Sequence, residues 1–307
     1  MNDSKKSVKR AIGKITAVYG RMQKIYADGV VYEAAMRGKI LKEPLSSSPI
    51  VVGDNVEFSI GSDGQAAIEK IMPRQQYLAR PDLLVKGQRQ IIAANLDQLV
   101  IISSTRAPKF KPGLVDRFIV NAEHENLKPA IVINKIDLAG DAEFAEFAGT
   151  WRKLGYTVAF TSAITGEGLS GLIGILKDKT SVLAGHSGVG KSSLLNALDS
   201  KLHLRTREIS IATGKGVHTT TSVIMYPMPM GGWVTDTPGL KVFGLTHYRP
   251  EHIADCFAEM RGLAGSCRFG DCLHVSEPGC SIKAAVGSGG IAEFRYESYL
   301  KIINELK

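Results

Sequence analysis

The sequence predicts a multidomain protein: an N-terminal OB-like β-barrel, a central α/β domain and a helical C-terminal region. Three observations predict it. Short runs alternate apolar and polar residues from 12 to 72, apolar strands alternate with helical stretches from 97 to 243, and strand patterning stops after Phe243. A chain of 307 residues can bury a separate core in each of two or three such domains.

The barrel is read from GKITAVYG, DGVVYEAAMRG, VVGDNVEFSI and AAIEKIM, which give about five short strands with Gly, Asp and Pro between them. OB-like barrels of this size often bind nucleic acid. The chain has a formal net charge of +8, and its start carries Lys5, Lys6, Lys9, Arg10, Lys14, Arg21 and Lys24 against the single acid Asp3. Such an arm fits either a polyanion partner or a solubilising tail. Residues 1–72 are therefore expected to form a basic arm plus an RNA-binding barrel, and PRQQYLARP (73–81) a linker. With 44% hydrophobic and 22% charged residues, and no apolar run near the roughly 18 that span a membrane, the expectation is a soluble chain. MNDSKKSVKR is not followed by an apolar core, so the expected compartment is the cytoplasm.

Residues 82–243 are expected to be the α/β domain, with strands DQLVIIS, PAIVINK, YTVAFTSA, SVLAG and GGWVTDT. Helices are expected near 114–125, 142–154 and 191–198. GHSGVGKS at 185–192 satisfies G-x-x-x-x-G-K-[ST] directly after the apolar strand SVLAG. Its Gly185, His186, Ser187, Gly188, Val189 and Gly190 would wrap backbone N–H groups around phosphate oxygens at a helix start that includes Ser193. Lys191 would reach the β- and γ-phosphates, and Ser192 would ligate Mg²⁺. NKID at 134–137 identifies the base. A carboxylate at Asp137 can accept both N1–H and the exocyclic amine of guanine, a donor pair that adenine lacks. Asn134 would brace the loop and bond the base, Lys135 would lay its stem along the ring, and Ile136 completes the motif. Thr161, Ser162 and Ala163 follow the next strand and would back the guanine.

DTPG at 236–239 places Asp236 near Mg²⁺ and the Gly239 N–H near the γ-phosphate. Between these motifs, GKGVHTTT (214–221) has the composition of a switch loop. Thr220 is expected to complete the Mg²⁺ shell, with Thr219 the next choice. The order NKID, TSA, GHSGVGKS, TTT, DTPG is permuted relative to ordinary GTPases, which place the phosphate loop first. Leu240 stands where a water-orienting glutamine would follow the DxxG motif, so intrinsic hydrolysis should be slow. Residues 244–307 read as a helical domain. It opens on a helix with the stripe Ile253, Phe257 and Met260, and closes on an amphipathic helix. Between them, Cys267, Cys272, His274 and Cys280 offer three thiolates and one imidazole, a closed tetrahedral shell for one structural Zn²⁺. Cys256 reads as a small core residue.

These motifs together resemble the ribosome small subunit-dependent GTPase A family (RsgA/YjeQ) of circularly permuted GTPases, over nearly the whole chain. The resemblance implies a factor of late small-subunit (30S) maturation, with an OB-fold, a permuted GTPase domain and a zinc domain. It implies weak GTPase activity stimulated by the small subunit, and partners that include GTP or GDP, the small ribosomal subunit and its rRNA, with no membrane. It also implies that His218 positions the attacking water, whereas the residues alone leave His218 equally readable as a solvated loop histidine. A monomer is expected. The competing functional class is an RNA-binding assembly module that uses GTP only as a conformational ligand.

Overall fold

The computed structural model describes residues 9–36, 49–62, 64–81, 89–140, 142–202, 204, 223–236, 245 and 248–306. The chain divides into two compact units. One comprises Met1–Asp97, Asp178–Val182 and Val217–Gly239, and the other Gln98–Lys177, Leu183–Gly216 and Leu240–Lys307.

In the first unit, β1 (Lys9–Tyr19), β2 (Met22–Ala27), β3 (Val30–Met36), β4 (Asn55–Ile60) and β5 (Ala66–Ile71) close into a barrel of order β1-β2-β3-β5-β4-β1. Closure is possible because β1 is long enough to pair β4 through Lys9–Lys14 and β2 through Lys14–Tyr19, with an irregularity between Ile15 and Ala17 that bends the strand. The parallel pair β3 and β5 completes the ring. Asp28 and Gly29, both at positive φ, make the two-residue turn between β2 and β3 that matches strand twist. Ile15, Ile25, Val56, Phe58 and Ile68 fill the interior. The expected OB-like barrel is therefore present.

Within 73–81, expected to be linker, Tyr77–Pro81 forms β6, paired antiparallel to β7 (Arg89–Ala94). A bidentate pair anchors the approach to it: Arg74 donates to both oxygens of the buried Asp54 at 2.7 and 2.8 Å. The same unit holds the hairpin β12 (Ile224–Pro227) and β13 (Trp233–Asp236), joined to β1 at Ala17–Ile224.

In the second unit, β8 (Gln98–Ser104), β9 (Lys128–Asn134) and β10 (Thr157–Thr161) are parallel in the order β10-β9-β8. Leu183 and Ala184, ending β11 (Thr180–Ala184), continue that order beside β8. Val100, Ile101, Ile131, Val132, Ile133 and Leu183 are fully or nearly fully buried, as expected of parallel strands covered on both faces. The connecting helices are α1 (Pro112–His124), α2 (Ala145–Lys153), α3 (Leu169–Leu176) and α4 (Lys191–Leu198). Pro112 starts α1 because a first-turn residue needs no intrahelical N–H bond.

The C-terminal region departs from expectation at its opening helix. Ile253, Phe257 and Met260 are buried, but they sit on 3₁₀ turns at Pro250–His252 and Ala254–Cys256 followed by the four-residue α5 (Ala258–Arg261). Phe257 interrupts the helix with extended backbone (φ −102°, ψ 112°). Its ring is held between the Arg295 guanidinium (4.6 Å) and Tyr299 (5.6 Å), so packing overrides helical periodicity. Two helices follow, α6 (Ser281–Gly287) and α7 (Glu293–Leu306). Ile291, Tyr299, Ile302 and Ile303 join this core as expected. Arg295 does as well, fully buried and bonded to Asp116 of α1 (2.5 Å) and Glu259 of α5 (2.6 and 3.1 Å). No helix among the described residues is long and apolar enough to cross a membrane.

Candidate nucleotide site and metal centre

After β11 the chain turns through residues 185–190, where glycines permit what other residues would not. Gly190 has φ 98°, and a Cβ there would lie 2.3 Å from the Asn134 amide nitrogen. The turn delivers Lys191, Ser192 and Ser193 as the first turn of α4, whose leading N–H groups have no intrahelical partner. Lys191 Nζ donates to the carbonyls of Gly185 (2.7 Å) and His186 (3.2 Å), which folds the ammonium over the loop.

Strand β9 ends at Asn134, which is buried. Its Nδ2 donates to the Val189 carbonyl at 2.9 Å and its Oδ1 accepts from the Thr161 hydroxyl at 3.1 Å. Lys135 is left-handed (φ 65°), and this turn buries Ile136 while leaving Asp137 exposed. The Ser162 hydroxyl donates to Asp137 Oδ1 at 2.5 Å and accepts from the N–H groups of Ile164 and Thr165. Ala163, beside it, is half-buried. Segments 134–137, 161–163 and 185–193 are thus tied together by side-chain bonds. A carboxylate held from behind by one oxygen and open to solvent is oriented to accept paired N–H donors.

One neighbouring segment went unread in the sequence. Buried Thr105, just after β8, donates its hydroxyl to the Lys135 carbonyl, and Lys135 Nζ donates to the Ala107 carbonyl, each at 2.5 Å. The available signal was its position at the carboxyl end of a parallel strand, where such sheets place ligand sites.

On the Mg²⁺ side, Ser192 is half-buried on α4, and Asp236 ends β13 with its backbone paired to Ile224. His218, Thr219, Thr220, Gly239 and Leu240 lie outside the described residues.

The second constellation is Cys267, Cys272, His274 and Cys280, whose ligand atoms all lie within 4.8 Å of one another. His274 Nδ1 is 3.4 Å from the sulfurs of both Cys267 and Cys280, which are 3.9 Å apart. Tetrahedral Zn–S and Zn–N bonds imply edges of about 3.5–3.8 Å, so the donor set fits zinc. The backbone is shaped for it. His274 is left-handed (φ 57°), and its carbonyl accepts from the Tyr296 hydroxyl (2.7 Å) while that of Leu273 accepts from Tyr299 (2.8 Å). Ser281 N–H lies 3.4 Å from the Cys267 sulfur, and Lys283 N–H 3.5 Å from that of Cys280.

Burial and the neighbouring thiols push the Cys272 thiol up to about 12, and burial lowers the His274 imidazole. At Cys267 burial acts upward, but the Ser281 N–H and the adjacent thiols outweigh it and lower the thiol. The lowered Cys267 thiol gives up its proton more readily than the raised Cys272 thiol, and a divalent metal is what would hold the sulfurs as thiolates. Glu277 buttresses the loop through the N–H groups of Leu273 (3.1 Å), Val275 (2.8 Å) and Ser276 (3.0 Å). Burial opposes its ionisation, yet its own backbone N–H together with these bonds brings it down to about 2. Cys256 stands apart as the core residue expected, its thiol raised to about 12 chiefly by burial.

A phosphate-binding loop placed after the base-reading turn in the chain, on a parallel sheet with these interlocks, defines a circularly permuted P-loop GTPase. The chain belongs to the RsgA GTPase family, whose model matches residues 71–246. It is 40% identical over 299 residues to the small ribosomal subunit biogenesis GTPase RsgA of Gemmatimonas aurantiaca, covering 96% of this chain and 97% of that protein. The namesake from Chlorobaculum tepidum is also 40% identical, with the same coverage. Among solved structures, YjeQ from Thermotoga maritima matches with TM-score 0.78 and 34% identity over 97% of this chain and 99% of that one. YloQ, described as a circularly permuted GTPase, matches with TM-score 0.75 and 31% identity over 97% and 95%.

Proposed function

We propose that this GTPase acts in late maturation of the small ribosomal subunit, binding rRNA and hydrolysing GTP faster when the subunit is present. The single observation that carries the nucleotide reading is the interlock of Asn134 with Val189 and of Ser162 with Asp137. The names of the relatives support the ribosomal role.

Asp137 accepts guanine N1–H and the exocyclic amine, Lys135 covers the ring, and Thr161, Ser162 and Ala163 back it. Backbone N–H groups from His186 to Ser193 receive the phosphates, with Lys191 placing its charge on the β- and γ-oxygens. Ser192, Thr220 and Asp236 would hold Mg²⁺, which supplies charge neutralisation on the phosphates. Gly239 N–H reads the γ-phosphate. Leu240 cannot orient water, so His218 positions the attacking water, at a slow intrinsic rate. Zn²⁺ on Cys267, Cys272, His274 and Cys280 has a structural role.

The functional divisions are the barrel with its basic arm (1–72), a connector (73–81), the GTPase domain (82–243) and the zinc domain (244–307). The tip of the β1–β2 hairpin supports rRNA binding. Tyr19, Arg21 and Met22 are exposed there, and Lys24 Nζ lies 5.9 Å over the Tyr19 ring, a set suited to phosphates and unstacked bases. The protein works as a cytoplasmic monomer.

The test is GTP turnover with and without isolated small subunits. The expected result is stimulation that is lost in His218→Ala. Equal turnover with and without subunits would instead favour an assembly module that uses GTP only as a conformational ligand.

A further inference from the structure

We infer that Thr105 is a positioning residue for base recognition, acting through the left-handed turn at Lys135. The inference rests on the guanine-site reading proposed above and assigns part of its selectivity to a residue outside the guanine-reading motifs.

A left-handed lysine is a strained choice that persists only where its surroundings over-determine it. At Lys135 a neighbouring segment supplies part of that hold. The Thr105 N–H donates to the Asn134 carbonyl at 3.0 Å and the Thr105 hydroxyl to the Lys135 carbonyl at 2.5 Å, so one residue holds two successive peptide oxygens. Leu138 N–H also donates to the Lys135 carbonyl at 3.0 Å from within the turn, so the Thr105 hydroxyl is its second donor and the one that ties the turn to another segment. The lysine returns a bond from Nζ to the Ala107 carbonyl.

Thr105 is itself fixed. Its carbonyl accepts from Phe110 N–H (3.4 Å), the Ser104 hydroxyl donates to the Pro108 carbonyl (2.8 Å), and Phe110 packs on Phe144 at 4.9 Å and Phe147 at 5.4 Å. Asp137 lies two residues beyond the carbonyl that Thr105 holds. Rotation of that peptide would swing the carboxylate away from the direction set by Ser162. Lys191 draws its bonds from a different loop, so loss of Thr105's hydroxyl should reach the base before it reaches the phosphates.

The experiment compares GTP with ITP, which keeps N1–H but lacks the 2-amino group, in wild type, Thr105→Val, Thr105→Ser and Asp137→Ala. Thr105→Val is expected to weaken GTP binding about tenfold, the factor for one lost buried hydrogen bond, and ITP binding only about twofold. The GTP-to-ITP preference should narrow about fivefold, kcat at saturating GTP should stay within about twofold, and Thr105→Ser should restore the preference. If Thr105→Val does not fold, Thr105→Cys, a weak donor of similar size, should narrow the preference by a smaller factor.

An unchanged ratio, or equal losses for both nucleotides, would overturn the role of Thr105. If instead the wild type does not prefer GTP, or Asp137→Ala leaves the preference intact, the guanine-site reading itself fails, and the inference falls with it.

Discussion

The guanine-side loops and the cysteine–histidine cluster are both irregular backbone fixed by side chains, yet different forces complete them. Around Asn134 and Asp137 the ties are ordinary hydrogen bonds, among them amide to carbonyl, hydroxyl to carboxylate and hydroxyl to amide. The loops therefore stand assembled on the parallel sheet by themselves. Around His274 the tyrosine and Glu277 bonds shape the backbone, but three sulfurs and an imidazole converge there, and burial with the neighbouring thiols pushes the Cys272 thiol up. That region has the shape and the donor set that a cation would complete. The first site is preorganised by hydrogen bonding, whereas the second has the donor set for a cation to add to its folding.

The largest expected effect breaks the comparison open. Chelation, or Cys280→Ser, should abolish zinc content and lower the unfolding midpoint more than any other change discussed, since structural zinc binding contributes on the order of 10 kcal/mol in small modules. Amide exchange should rise first across 267–280, while GDP affinity stays within about threefold; an equal collapse of GDP binding would show that the two regions are not independent.

Next in size is Arg295→Leu. Arg295 and Asp116 are fully buried, and Glu259 nearly so. Removing the cation strands two carboxylates, which costs about 3–5 kcal/mol, read as a shift in urea midpoint at constant m. Because Arg295 bonds α1 of the GTPase fold, this substitution should cross the boundary that chelation respects. Smallest is Ser162→Ala, which frees Asp137 Oδ1 and should weaken GTP binding about fivefold, in line with about 1 kcal/mol for one hydrogen bond, with zinc content unchanged.

The strands of the parallel sheet and helix 191–198 could be read directly, because each is a local pattern: an apolar run, then a glycine turn, then a helix start. The cysteine–histidine cluster was readable for the same reason, four reactive side chains within fourteen residues. The strand at Tyr77–Pro81 is not legible in the sequence because its partner lies across residues 82–88 and the prolines at 73 and 81 read as breaks. The helix expected around Ile253–Met260 failed at Phe257, where a buried arginine from α7 captures the ring. Thr105 was invisible because its partner Lys135 lies 30 residues away.

By itself the sequence determined which reactive groups are present, since a phosphate-loop motif, the carboxylate of NKID and a cluster of soft donors are properties of residue type and short spacing. It also determined the permuted order of those motifs. Only the tertiary structure decided what holds them in place: which carbonyl Asn134 braces, which hydroxyl supports Lys135, and which carboxylates Arg295 neutralises. Those choices depend on contacts between distant segments, and such contacts come into existence only when the chain folds.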